Sequence, residues 1–213
     1  MFSSSFWPCD TNPSAYQSVS DPGIYTYRQQ AQFFREALTL PTRITVGPFV
    51  QQPIYKPHTN SDRKRYVEEV LLDPPIFFRD TEGFYGIRLV DALRCKFRGL
   101  ESAEEAVFQG RGPSVSIRLE WPGYRRWSRQ IPTRDFRTPP GPITRAKLAK
   151  SVAKCVQRFV EDREGHNMED DSDPKWKVGR DPSTIRLEDL VLVSIYHVSM
   201  GSWQPHLRLL RSI

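Results

Sequence analysis

The sequence predicts an α+β fold: a mostly antiparallel sheet with two main helices on one face, preceded by a disordered N-terminal arm. Three observations carry this reading. Residues 114–121 alternate apolar and polar side chains at the period of a strand. Residues 144–163 repeat apolar side chains at the period of a helix. Seven of the 18 prolines fall before residue 60, in a stretch rich in Ser, Gln and Asn that is poorly suited to a packed core.

Taken in order, residues 1–62 read as a flexible Pro/Ser/Gln-rich arm, and residues 63–213 as a single α+β domain. Within the arm, Phe33, Phe34, Ala37 and Leu38 stand at helical spacing. That piece is suited to docking on its own domain or in a partner's groove. Pro74 and Pro75 break the apolar stretch 66–78, and a strand around residues 75–79, or an edge strand, is expected there. Leu89, Leu93 and Phe97 lie four apart, so residues 87–97 read as a helix that Gly99 stops.

In the strand 114–121, Val115, Ile117, Leu119 and Trp121 share one face. Pro122 and Gly123 suit the centre of a type II turn, because proline presets φ and glycine accepts positive φ. A tight two-residue turn would aim Trp127 and Ile131 away from the core. A wider connection or a bulge restores them, pairing Trp127 with Leu119 or with Trp121 and leaving Tyr124 exposed. Thr144 caps the next helix, where Leu148, Val152, Cys155, Val156 and Phe159 form the apolar stripe. An acidic mobile loop is expected near residues 164–183. Residues 190–198 are almost continuously apolar, as in a central strand covered on both faces. A closing hairpin follows, with Trp203, Pro205, Leu207 and Leu209 inward and His206 on the polar face.

Charge is distributed unevenly. Between residues 111 and 158, twelve Arg and Lys side chains oppose only Glu120 and Asp135, and residues 159–173 then carry seven acids against Arg163. The binding candidates are therefore Arg118, Tyr124, Arg125, Arg126, Arg129, Arg145, Lys147, Lys150, Lys154 and Arg158. Cations with an exposed aromatic suit an acidic protein partner, and they also suit a nucleic acid, where bound cations displace counterions and rings stack on bases. The open question is whether the acidic run folds back over the basic segment.

The strand pair 117–131 with its Trp-Pro-Gly-Tyr turn, the Ile-Thr-Arg-Ala-Lys-Leu-Ala helix start at residues 143–149, and the closing residues 197–205 resemble a group of uncharacterised proteins from mushroom-forming fungi. The resemblance implies no activity and no site residues.

Motifs of known chemistry do not emerge. The Gly110, Gly112 pair lacks phosphate-loop spacing, no Gly-x-Ser-x-Gly elbow occurs, and no His or Cys has a partner at metal-ligand spacing. No catalytic residue, cofactor or metal is expected. The three cysteines, far apart in sequence, suggest a reducing compartment. With no apolar run of membrane-spanning length and no leader-like start, cytoplasm or nucleus is the expected location. The leading expectation is a non-enzymatic interaction module, regulatory or structural, that binds an acidic protein partner. The alternatives are a nucleic-acid-binding protein using residues 111–158, and an enzyme or accessory protein of a fungal pathway.

Overall fold

The computed structural model describes residues 25–43 and 47–212. Strand β5 (Leu190–Ser199) is buried at every position, and the other elements are arranged to cover it. It pairs antiparallel with β6 (Ser202–Leu209) on one side. On the other it pairs with two short strands, β1 (Ile76–Phe77) and β2 (Ile87–Arg88). Beyond β6 come β3 (Ser114–Leu119) and then β4 (Trp127–Pro132), giving six strands in all. Every pairing is antiparallel except β3 with β6, which run parallel through Ser116, Ile117, Ser202 and Trp203. The sheet is therefore mixed, within the α+β class expected.

One face of the sheet carries α3 (Leu89–Leu93) and α4 (Arg145–Arg163). The Thr144 hydroxyl accepts from the Lys147 N–H and caps α4. Its stripe (Leu148, Val152, Cys155, Val156, Phe159) is wholly buried against Ile117, Leu119, Leu192 and Leu207. Helix α3 is shorter than expected. Ile87 and Arg88 are drawn into pairing with β5, and Cys95 adopts a left-handed φ of 56° that ends the helix.

The opposite face is covered by residues expected to form a loose arm. Helix α1 (Tyr27–Glu36) is closed by a capping box between Thr26 and Gln29, and a one-turn helix, α2 (Asn60–Arg63), follows later in the same stretch. Helix α1 places Phe34 against Tyr196 and His206. Residues 48–50 then act as an added strand beside β6: the Val50 N–H donates to the Leu207 carbonyl, and the Leu209 N–H to the Pro48 carbonyl. A Cβ at Gly47 would lie 2.0 Å from the Leu209 carbonyl oxygen, so only glycine admits this approach. Gln204 clamps the segment further, accepting from the Tyr55 N–H and donating to the Pro53 carbonyl. The boundary drawn at residue 62 thus does not separate these residues from the domain, and their helix takes the docked of its two expected roles. Residues 1–24 and 44–46 of the expected arm lie outside the described residues.

The covered second face also corrects His206. It is not on a polar surface but is sandwiched between Phe34 and Phe49, with ring centroids 4.3 and 4.7 Å away. An extra residue in β5 near Val193 sets Ser194 opposite His206 and switches the alternation, so that Tyr196 and Val198 join Val191 and Val193 on the face toward α1. His197, on the α4 side, stacks on Trp203 at 4.6 Å, and its Nδ1 accepts from the Asp73 N–H.

The turn after β3 is as expected. Gly123 has φ of 80°, the Tyr124 N–H reaches the Trp121 carbonyl, and Leu119 pairs with Trp127. Tyr124, however, is buried rather than exposed. Its hydroxyl accepts from the Val178 N–H, while the Trp121 indole N–H donates to the Trp176 carbonyl. The acidic stretch expected as a mobile loop is thereby anchored, with Trp176 and Val178 in the core.

Two outcomes test this account. Phe34→Ala should destabilise the fold by about 3 kcal/mol in urea unfolding, whereas a side chain in a loose arm would change stability by less than about 0.5 kcal/mol. Burial pushes the His206 imidazole down to about 3 and also lowers His197. In the unfolded chain both titrate near the ordinary value of about 6.5. Below that pH the unfolded chain binds more protons, so stability should fall as pH falls, by up to about 1.4 kcal/mol per pH unit for each imidazole. Urea titrations between pH ~6.5 and ~5 would show this slope, and His206→Phe should remove its share.

Candidate functional site: a basic groove at the sheet edge

Apart from Tyr124, the candidates separate into cations spent on the fold and cations left open. Arg118 and Arg126 lie on the face of the strand pair away from α4. Both guanidiniums sit over the Tyr55 ring, at 4.5 and 5.7 Å. Arg126 also contacts Glu120 at 3.1 Å and donates to the Lys56 carbonyl. Burial raises the Glu120 carboxyl above its usual range, against the pull of Arg126 and Arg118. These two arginines hold residues 55–56 in place. Arg145, at the start of α4, donates to the Phe77 carbonyl and pairs with Glu105 at 2.5 Å. Arg158 pairs with Glu161 and Asp162. Arg125 is exposed at the turn, where its carbonyl accepts from Arg163. Tyr124, buried, is unavailable for stacking.

The remaining four, Arg129, Lys147, Lys150 and Lys154, line one groove of about 700 Å³ between β4 and α4. Trp127, Arg129 and Ile131 alternate toward α4 along the edge strand, and Lys147, Lys150 and Lys154 rise one turn apart on the facing helix. Ile131, Ile143 and Cys155 form an apolar floor. Burial pushes the Cys155 thiol up to about 12, so it stays protonated.

The loop after β4 closes one end and brings three residues that sequence reasoning did not single out: Arg134, Phe136 and Arg137. Phe136 is 97% exposed. Asp135 is the one acid in the lining. The Gly141 N–H, with further help from the Arg137 N–H and Lys147, holds its carboxyl below the usual range. Its second oxygen meets Arg137 at 3.2 Å and Lys147 at 3.5 Å. Lys150 donates to the Cys95 sulfur at 2.8 Å. Among the described residues, no carboxylate pairs with Arg129, Arg134, Lys150 or Lys154.

The acidic run does not cover this groove. Its ion pairs go to Arg158, to Arg180 through Glu164, and to Lys175 through Asp173. The reason is the anchoring of Trp176 and Val178 beside Trp121 and Tyr124, which holds residues 168–178 at the turn. Among the described residues there is no cluster of three metal-ligating side chains, and no helix is long and apolar enough to cross a membrane.

The division between spent and open cations has a direct readout in stability. Lys154→Glu should leave unfolding free energy within about 0.5 kcal/mol. Arg126→Ala should cost about 2 kcal/mol, because it strands the buried Glu120 carboxylate and releases Tyr55. Equal effects in urea unfolding would contradict the division.

No protein-family model, no curated protein and no solved structure matches this chain.

Proposed function

We propose that the protein is a non-enzymatic interaction module whose basic groove receives an acidic protein partner. The observation that supports this is the set of four cations, Arg129, Arg134, Lys150 and Lys154, without a carboxylate partner in a groove whose one acid is already engaged. Facing cations left unpaired repel one another at a cost that an anionic partner relieves.

The exposed apolar ring of Phe136 favours a polypeptide, since it offers an anchor at the rim of the groove. A nucleic acid would want several stacking rings, yet Tyr124 and Trp127 are both used in packing against Phe159, which leaves Phe136 alone at the groove. From Lys147 to Lys154 the helix rises only about 10 Å, enough for a short acidic segment.

Fluorescence anisotropy with a labelled acidic peptide and with oligothymidylate, each across a salt series, tests the reading. The peptide should bind at low salt and weaken as salt rises. Lys150→Glu with Lys154→Glu should reduce its affinity about tenfold, while Arg118→Ala on the opposite face should not. Binding of oligothymidylate alone would replace this function with the nucleic-acid one.

A further inference from the structure

We infer that the acidic partner binds as an added β-strand on the open edge of β4, with acidic side chains at alternate positions. This rests on the reading of the groove as an acidic-partner site and specifies the geometry of capture.

Strand β4 ends the sheet, and among the described residues no strand pairs with its outer side. The ladder fixes which backbone groups face outward. The Thr133 N–H donates to the Pro113 carbonyl. In the antiparallel register, residues 131, 129 and 127 therefore also bond inward to β3. Ser128 and Gln130 then present both N–H and carbonyl to the open side, and Pro132 presents its carbonyl alone. A proline at an outward position is compatible with an edge, since it withholds no ladder bond.

Gln130 and Pro132 line the same groove as Lys147, Lys150 and Lys154. A chain hydrogen-bonded to this edge, about 4.8 Å from β4, lies against those cations. Its side chains alternate between the two faces of the sheet. Those of one parity face α4, where Arg129, Lys150 and Lys154 stand unpaired with any carboxylate. Those of the other parity share the face of Ser128 and Gln130, both exposed and uncharged. The occupant is thus an extended segment with a carboxylate at every second residue. A second copy of this chain is a poor occupant, because edge-to-edge pairing of two β4 strands would set Arg129 and its neighbouring lysines against their own copies.

The test uses four eight-residue peptides and the intact protein: alternating Thr and Glu, the same composition as a Thr block and a Glu block, and two forms of the alternating peptide with backbone N-methylation at every second residue, one on the Thr residues and one on the Glu residues. The alternating peptide should bind best. N-methylation in one of its two registers should abolish binding, and in the other should leave it nearly unchanged. Gln130→Pro, which removes one outward N–H and no charge, should weaken the alternating peptide about five- to tenfold, with the thermal transition checked separately. Equal binding of alternating and block peptides, insensitive to N-methylation, would overturn strand addition and leave the acidic-partner reading standing. No binding of any acidic peptide at low salt would overturn both.

Discussion

A strand buried along its whole length on both faces needs a layer on each side, and β5 imposes that requirement on this protein. With apolar residues such as Leu190, Val191, Leu192 and Val193 in succession, no orientation leaves a face fit for water. Helix α4 supplies one cover. The second comes from far upstream, from Phe34, Ala37 and Leu40 with the aromatic contacts of Phe49. The glutamine clamps and the interaction of Tyr55 with Arg118 and Arg126 serve the same end, fastening a polar, proline-rich segment over a sheet face that must be dry.

That dependence explains what could be read from the sequence. Helix α4, the β3 alternation and the type II turn at Gly123 were legible because each is set by local periodicity or by the φ preference of one residue, and the strand-pair register was narrowed to two choices, of which the structure has Leu119 with Trp127. The double burial of β5 was legible too, but not what would cover it. Gln52 (which donates to the Pro205 carbonyl and accepts from the Glu120 N–H), Gln204 and Gly47 have no periodic signature, and they act through a pair of hydrogen bonds each or one close backbone approach. Composition therefore suggested a loose arm where the structure has a docked layer. Tyr124 was misread for a related reason: the residues that bury it, Trp176 and Val178, sit in a stretch whose acidity suggested only solvent.

The candidate site was legible as charge but not as place. Counting cations between residues 111 and 158 cannot separate Arg118 from Arg129, one base on each face of the same hairpin. Only the strand parity and the covering layers divide them. Those on the second face stack on Tyr55 and neutralise Glu120, whereas those toward α4 meet a helix carrying the same sign. The groove owes its field to this sorting, since a carboxylate on α4 at position 150 or 154 would have closed it internally.

The added strand at residues 48–50 also bears on how the molecule is assembled in time. The two longest strands of the sheet are the last elements of the described chain, and β6 holds partners about 150 residues upstream. During synthesis the Phe34 helix, β3 and α4 emerge with no β5 or β6 to dock on. Native structure on either face must await the final hairpin, and folding becomes a single late event with high contact order. Until then the chain exposes both apolar layers at once, which makes the period just before completion its most aggregation-prone state.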